Sequence, residues 1–309
     1  MPQPHLNSHS PLVAHHLARA AVRALYVEVA LEPKPGLVSL RDRGSHEDMD
    51  ASTFVRSLFA LRHYFGRAAL AGGQGVDLVG LQTLGLAAEA RMLAATQGVN
   101  THKGAIFGLG LLCAAAGRLC AQGQALHAPA LRAALLSGWG EALGARAALV
   151  RAAAPVTNGQ KAARAHGLRS ALEEAALGFP AVFDVALPAL QTALLAGVGE
   201  RAARVQALFA TMAVLDDTNL VHRGGLAGLH WMQAQAQEFL AAGGVAQAHW
   251  QQQARALHRA AVQRRLSPGG SADVLASACW LAALQPSAAG TASPVGHLRP
   301  APARALVHP

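Results

Sequence analysis

Apolar residues recur along this chain at intervals of three and four, and almost nowhere at intervals of two. Such spacing places apolar side chains on one face of an α-helix, whereas a half-buried strand needs strict alternation. We therefore predict an all-α fold, a single compact domain of about eleven helices. The predicted helices are Val13–Leu31, Ala51–Ala71, Val76–Gln97, Thr101–Ala121, Pro129–Ala152, Gly159–Leu177, Pro180–Leu195, Glu200–Asn219, Gly224–Ala241, Ala246–Arg265 and Ser271–Leu284.

The helical pattern covers residues 13–285, which we predict to form one all-helical domain. Residues 1–12 and 286–309 are rich in Pro, Ser, His and Ala and lack periodicity, so we predict flexible tails at both ends. The 309 residues are 52% hydrophobic and 14% charged, a composition that excludes disorder of the whole chain.

Composition also limits compartment and partners. The uncharged apolar run from Gly104 to Gly117 is shorter than the roughly 20 residues of a membrane-spanning helix, and the start of the chain lacks a secretory signal pattern. We therefore expect a soluble cytoplasmic protein without membrane contact. The net charge of +9 favours an anionic partner. Because the arginines are scattered and aromatic residues make up only 5%, we do not expect that partner to be nucleic acid.

Acidic residues and lysines are few, and they cluster in short segments rich in Gly, Pro, His and Asn. In the first segment, two prolines and a glycine form a rigid loop that can present Lys34 to an anion. Upstream, Glu28 falls on the apolar face of the first predicted helix. Asp48 and Asp50 follow the loop, and Asp50 also stands where it could simply cap the next helix.

The second segment, Gly98–Phe107, begins a predicted helix. Asn100 or Thr101 can cap this helix, whose free backbone N–H groups favour an anion, with His102 and Lys103 in its first turn. A phosphate would fit there. The order of residues that defines a nucleotide-binding P-loop is absent.

Two further segments add carboxylates. Asp216 and Asp217 lie beside Asn219, a set of hard oxygens that suits Mg²⁺, and Arg223 follows as a possible phosphate ligand. Asp216 continues the apolar line of a helix predicted to run to Asn219, so at least one of the two adjacent carboxylates should face inward. In Ser267–Asp273, two glycines before a helix leave backbone amides accessible, and Asp273 either complements the helix dipole or adds a metal ligand.

Together these motifs resemble the triphosphoribosyl-dephospho-CoA synthase family, and the resemblance covers nearly the whole predicted domain. The motifs that carry it are Pro33–Val38 with Gly44–Asp50, Asn100–Gly104, Asp217–Asn219 with Arg223–Gly225, and Ser267–Asp273, with Gly178–Pro180 between them.

The resemblance implies a transferase that joins ATP to 3′-dephospho-CoA, releases adenine and forms 2′-(5″-triphosphoribosyl)-3′-dephospho-CoA. A separate transferase would pass this product to an acyl-carrier protein, as the prosthetic-group precursor of malonate decarboxylase or citrate lyase. Ser39 stands where citrate-lyase members tend to carry Asp, so the chain looks more like the malonate decarboxylase branch.

The implied reaction is a displacement at C1′ of the ATP ribose, with oxocarbenium character. It assigns three groups of residues. Catalytic candidates are Glu28, Asp48, Asp50 and His46, with inward-pointing Glu28 the preferred base and His46 or His102 a candidate acid for the departing adenine. Candidates for binding the nucleotide and its phosphates are Lys34, Asn100, His102, Lys103, Arg223, Gly269, Gly270 and Ser271. Candidate ligands of Mg²⁺, the expected cofactor, are Asp216, Asp217 and Asp273.

Two other interpretations fit the same residues. A Mg²⁺-dependent hydrolase of a nucleotide or ADP-ribosyl N-glycosidic bond would replace the acceptor alcohol with water, and a non-catalytic helical scaffold would bind no nucleotide. The transferase hypothesis requires distant helix termini to converge, so that the scarce carboxylates and lysines line one cavity.

Overall fold

The computed structural model describes residues 11–285, and these contain helices and no β-strand, which confirms the predicted all-α class. The tails expected at 1–12 and 286–309 lie outside the described residues, apart from Pro11 and Leu12, which begin the first helix. The α-helices are α1 Pro11–Ala30, α2 Ala51–Leu61, α3 Tyr64–Gly73, α4 Leu78–Ala95, α5 Lys103–Ala121, α6 Ala128–Leu135, α7 Glu141–Ala152, α8 Asn158–His166, α9 Ala171–Ala176, α10 Leu187–Leu195, α11 Glu200–Met212, α12 Thr218–Ala241, α13 Trp250–Gln263 and α14 Gly269–Leu284.

Several predicted helices are shorter or divided. The helix predicted from Ala51 is interrupted between Leu61 and Tyr64, and the one predicted over 159–177 breaks where Gly167 takes a left-handed conformation and ends α8. Short π-helical segments, Leu136–Gly140 and Ala181–Ala186, interrupt two others.

The correction that matters most for function concerns the helix predicted to run to Asn219. Helix α11 ends at Met212, and Asp217 instead caps the start of α12 through its side chain and the N–H of Asn219. Helix α12 continues to Ala241 across a kink at Gly225, whose φ is 61°. Asp216 therefore lies in a loop and not on a helix, and the carboxylate that faces inward is that of Asp217, which is buried.

Helix α5 is the centre of the larger hydrophobic core, which also contains α1, α3 and α14. Helices α3 and α5 approach closely because Gly72 and Gly117 lack side chains: a Cβ at Gly72 would lie 2.0 Å from the carbonyl oxygen of Ala114, and one at Gly117 would lie 1.8 Å from that of Ala69. This contact holds the C-terminal half of α5 against α3.

Within the described residues, α5 is also the one helix long and apolar enough to cross a membrane by length and composition. Because 67% of its apolar window is buried inside the protein, it has the character of a core helix.

A second hydrophobic core surrounds α11, α12 and α13. The loop between α1 and α2 lies against the loop before α14, where the Ser45 hydroxyl donates to the Leu266 carbonyl at 2.6 Å. A Cβ at Gly36 would lie 2.0 Å from the same Leu266 oxygen, so this contact between loops requires glycine. The two loops thereby bring residues of the first and fourth motifs side by side.

Candidate active site

A cavity of about 330 Å³ opens where the start of α5, the loop after α11 and the start of α14 meet. We call it the acidic cavity, because Asp216, Asp217 and Asp273 line it together with Glu174 and the backbone of Gly270. The structure thus brings together all three predicted metal ligands.

Asp217 anchors the two acidic motifs to each other. Its buried carboxylate accepts hydrogen bonds from the N–H of Asn219 at 3.0 Å and from the N–H of Ser271 at 2.9 Å, and the Ser271 hydroxyl lies 3.2 Å away. A Cβ at Gly270 would lie 3.1 Å from the Asp217 carboxylate, so the glycine allows the close approach. Burial raises the pKa of Asp217, and these hydrogen bonds oppose that rise.

Asp273 lies against the first turn of α5. A Cβ added at Gly104 would be only 2.0 Å from an Asp273 carboxylate oxygen, and the backbone N–H of Ala105 donates to this carboxylate. Burial raises the pKa of Asp273 well above its ordinary value, and the negative charges of Glu28 and Asp217 add to the rise. The carboxylate therefore favours either a proton or a neighbouring cation.

The wall next to Asp216 comes from the segment before Gly178, where the sequence places Arg169 and Glu173 four residues apart on one predicted helix face, as a surface pair or a substrate contact. There the backbone N–H of Arg169 donates to the Asp216 carboxylate at 3.1 Å, and the Arg169 guanidinium donates to Glu174 at 3.1 Å. Buried Glu174 also accepts the N–H of Ala181 at 2.6 Å. The Glu–Glu doublet before Gly178 was the available signal, but the first of the two, Glu173, forms its ion pair with Arg151 on the surface.

Lys34, predicted to be presented to an anion by its loop, lines neither the acidic cavity nor the second cavity described below. Its side chain is buried, and its Nζ lies 2.6 Å from both a carboxylate oxygen and the backbone carbonyl of Glu28. Burial lowers the pKa of Lys34, while the Glu28 carboxylate raises it. The pair influences the site through its charges, because Glu28 raises the pKa of Asp273 and Lys34 lowers the pKa of His102.

His102 is buried at the start of α5. Its Nδ1 lies 2.7 Å from the Ser57 hydroxyl, and the edge of its ring contacts Phe54. Burial, with a further contribution from the charge of Lys34, lowers the pKa of His102 to about 3. Among the described residues, neither its Nε2 nor the Thr101 hydroxyl oxygen has a hydrogen-bond partner. Two unpaired buried polar atoms beside a helix N-terminus are suited to binding a polar ligand.

Asn100 and Lys103 complete this terminus. The predicted cap at Asn100 or Thr101 is shifted, because α5 begins at Lys103 and His102 is its N-cap residue. The Asn100 side chain nevertheless accepts the backbone N–H of Lys103 at 3.1 Å. Lys103 is exposed and forms an ion pair with Glu89 at the edge of a second cavity of about 400 Å³. Because this second cavity is lined mainly by aliphatic and aromatic side chains, we call it the apolar cavity.

Several predicted site residues line neither cavity. His46 accepts at Nδ1 from the guanidinium of Arg223, 2.9 Å away, and its Nε2 lies 2.9 Å from the Ser267 hydroxyl. Burial and Arg223 lower the pKa of His46 to about 4. Arg223 also donates to the Ser45 carbonyl, and the mostly exposed Asp48 carboxylate lies 3.6 Å from His46. In the geometry seen here, the Arg223 guanidinium joins loops and does not face the acidic cavity.

Asp50 caps α2. Its carboxylate accepts the backbone N–H and hydroxyl of Thr53 and the hydroxyl of Ser52, and it pairs with Arg43. These hydrogen bonds hold its pKa far below the ordinary value. The reciprocal contacts with Thr53 are those of a capping box, as the capping interpretation expects.

The residues present fit a metal that arrives with its phosphates. Within residues 11–285, no three His, Cys, Asp or Glu side chains stand close enough to hold an ion by themselves. Mg²⁺ commonly takes only one or two protein carboxylates and completes its octahedron with phosphate and water. Asp216 and Asp273, which each accept a single backbone N–H, are better placed to hold Mg²⁺ than Asp217, whose carboxylate is already hydrogen-bonded several times.

Comparison with known proteins agrees with this chemistry. Residues 14–291 match the model of the family described as CitG: ATP:dephospho-CoA triphosphoribosyl transferase. The chain belongs to this transferase family.

Curated relatives carry the name probable 2-(5''-triphosphoribosyl)-3'-dephosphocoenzyme-A synthase. The protein of Acinetobacter calcoaceticus is 42% identical over 262 residues, covering 85% of this chain and 88% of the relative. That of Vibrio cholerae is 41% identical over 277 residues, covering 88% and 87%. That of Pseudomonas savastanoi pv. phaseolicola is 41% identical over 281 residues, covering 89% and 93%. No solved structure matches the chain.

Proposed function

We propose that this protein joins ATP to 3′-dephospho-CoA with release of adenine, forming 2′-(5″-triphosphoribosyl)-3′-dephospho-CoA. The observation that carries the proposal is the meeting of Asp216, Asp217 and Asp273 with the N-terminus of α5 in one cavity, in a member of this transferase family. An acid-lined cavity accepts a polyphosphate only together with cations, so we propose Mg²⁺–ATP as the donor.

In the proposed reaction, a ribose hydroxyl of dephospho-CoA attacks C1′ of the ATP ribose. The new C1′–O bond forms as the bond to adenine breaks and its electron pair leaves with adenine. The hydroxyl proton needs a carboxylate acceptor. Glu28 is the sequence-based candidate, but its oxygen is held by Lys34. Asp273 lies in the acidic cavity itself and is the acceptor that we propose: burial raises its pKa, and a cation bound beside it would favour the ionised form that a base needs.

Two features of the site have separate duties in this proposal. The start of α5 supplies the backbone N–H of Gly104 and the buried, neutral His102, whose Nε2 has no hydrogen-bond partner among the described residues, and both are suited to the phosphate oxygens. The ion pair of Lys34 with Glu28 keeps a positive charge beside His102 without exposing it to water.

Product analysis tests the proposal. The protein with Mg²⁺, ATP and dephospho-CoA should yield adenine and a heavier CoA derivative in equal amounts by chromatography and mass spectrometry. Adenine released equally well without dephospho-CoA would establish the hydrolase instead. Asp216→Ala should abolish Mg²⁺-dependent turnover, whereas Glu47→Gln, which removes an exposed acid, should not. Full activity of Asp216→Ala would remove the metal assignment.

We further propose that the product serves the malonate decarboxylase branch in the cytoplasm, through a separate transferase that loads an acyl-carrier subunit. The support is the identity of residue 39, a Ser where citrate-lyase members of the family tend to carry Asp. Ser39 is buried, donates to Glu32 at 2.5 Å and accepts the N–H groups of Arg41 and Asp42. Reconstitution with the carrier subunits of both enzymes tests this branch: loading only of the citrate lyase carrier would contradict it.

A further inference from the structure

We infer that the apolar cavity binds the pantetheine arm of dephospho-CoA. This inference rests on the proposed function and specifies where its acceptor substrate lies. The volume of about 400 Å³ falls within the range of roughly 300–1,000 Å³ typical of small-molecule sites.

The two cavities share a wall. Gly104, Phe107, Ser170, Ala171 and Thr218 line both of them. A donor held in the acidic cavity would therefore present its ribose at this wall, and the reacting hydroxyl of the acceptor must reach the same place. The diphosphate and the pantetheine arm of the acceptor then extend into the apolar cavity.

The lining matches an uncharged arm with an anionic end. Leu81, Leu86, Ile106 and Leu143 give the cavity its apolar surface, and the side chain of Leu86 is exposed at 58% although it is large and apolar. The pantetheine arm is alkyl chain interrupted by two amides, and the side-chain amides of Gln82 and Gln160 lie in the same lining.

The lining of the apolar cavity also contains a cation that can bind the diphosphate to which the arm is attached. Arg146 lines the apolar cavity, is exposed, and makes no hydrogen bond or ion pair with any other residue in the described part of the chain. Lys103 also lines this cavity, but Glu89 already neutralises it. Arg146 is therefore the cation available to a phosphate.

Gly85 offers a way to fill the cavity without disturbing the fold. It lies in α4, and a Cβ there would be 3.6 Å from the Tyr64 hydroxyl, an ordinary contact. Gly85→Leu therefore projects its side chain into the space assigned to the arm. The matched control is Gly144→Leu in α7, where a Cβ meets nothing within 4 Å. Gly144 lines neither the apolar nor the acidic cavity.

The KM values of the two substrates test the assignment. Gly85→Leu should raise the KM for dephospho-CoA by about tenfold or more, since small apolar changes in a pocket alter discrimination by roughly 10–200-fold. The KM for ATP should stay within about twofold, and Gly144→Leu should change neither value. Arg146→Gln, which alters an exposed side chain, should raise the KM for dephospho-CoA by about fivefold and so provides the same readout if Gly85→Leu folds poorly. An increase confined to the KM for ATP, or unchanged KM values in both variants, overturns the inference.

Calorimetry separates this inference from the proposed function. The wild type should bind dephospho-CoA more tightly than adenosine 5′-diphosphate, which lacks the arm, and Gly85→Leu should abolish that difference. If the wild type forms no triphosphoribosyl product yet shows this preference, the proposed function fails and the arm site stands. Equal binding of the two ligands by the wild type removes the arm site whatever the activity.

Discussion

Replacing Gly104 by alanine should damage the acidic cavity while sparing the fold. The new methyl group would lie 2.0 Å from the Asp273 carboxylate, and the flexible end of that side chain is what must move. Asp273 would then lose the N–H of Ala105 and its position at the start of α5. No backbone atom appears among the three closest contacts of the added Cβ, so the helix itself need not shift.

The expected change in stability is small because two effects oppose each other. Alanine in a helix is favoured over glycine by up to about 1 kcal/mol, and this gain applies at Gly104 within α5. Loss of the hydrogen bond to Asp273 costs about 0.5–1.5 kcal/mol. The free energy of unfolding should therefore change by no more than about 1 kcal/mol. Catalysis should suffer more, since removing one preorganised electrostatic group typically lowers kcat by about 10²–10³-fold.

Urea denaturation and steady-state kinetics measure the two quantities on the same preparation. Gly144→Ala is the matched control, because it makes the same change in a helix where a Cβ meets nothing within 4 Å. If Gly104→Ala keeps wild-type kcat/KM for ATP, then Asp273 is not part of the catalytic site and the reasoning is refuted. A loss of stability of several kcal/mol would show that the backbone, and not the carboxylate, had moved.

Three further outcomes follow from buried groups. Ser57→Ala should lower the free energy of unfolding by about 1–3 kcal/mol, because it leaves His102 Nδ1 without a partner; an unchanged urea midpoint would contradict this. Folding keeps His46 neutral down to about pH 4, whereas its unfolded form binds a proton near pH 6.5. Acidification from pH 7 to 5 should therefore lower the free energy of unfolding of the wild type by about 2 kcal/mol more than that of His46→Asn. Carboxylates with a raised pKa, such as Asp273, contribute in the opposite direction, but they do so in both proteins and cancel in the comparison. If the free energies of unfolding of the two proteins change equally between pH 7 and pH 5, the prediction is wrong. Gly72→Ala should cost about 3 kcal/mol, since its methyl group meets backbone atoms of α5 and not a movable side chain; a stable variant in thermal melting would mean that α3 and α5 are not in close contact.

The sequence predicted the helical class because its apolar periodicity is long and uniform, but periodicity alone could not place every helix end. The apolar residues Val214 and Leu215 extend the pattern beyond Met212, so the helix appeared to include Asp216. The competing signal was the Asp217-Thr-Asn219 sequence, which caps α12. Capping is local chemistry, and it prevailed over a hydrophobic pattern that fitted either assignment.

Part of the site was predictable from the local sequence. The scarcity of acids led to Asp216, Asp217 and Asp273, and the structure brings these three together. The burial of Lys34 was not predictable, because it depends on the loop after α1 folding back so that Nζ reaches the Glu28 carboxylate. The apolar cavity was missed altogether, since its lining comes from several helices that share no local motif.

The protein as a whole is positively charged, whereas the acidic cavity is lined mainly by carboxylates. A net charge of +9 draws anionic nucleotides toward the protein as a whole. The acidic cavity, however, presents Glu174, Asp184, Asp216, Asp217 and Asp273 against the single cation Arg169. An uncomplexed triphosphate is attracted to the surface but repelled at the cavity, whereas its magnesium complex is accepted there. ATP in excess of Mg²⁺ should therefore inhibit the reaction, because free nucleotide can still occupy the positively charged surroundings without placing its ribose at the wall that the two cavities share.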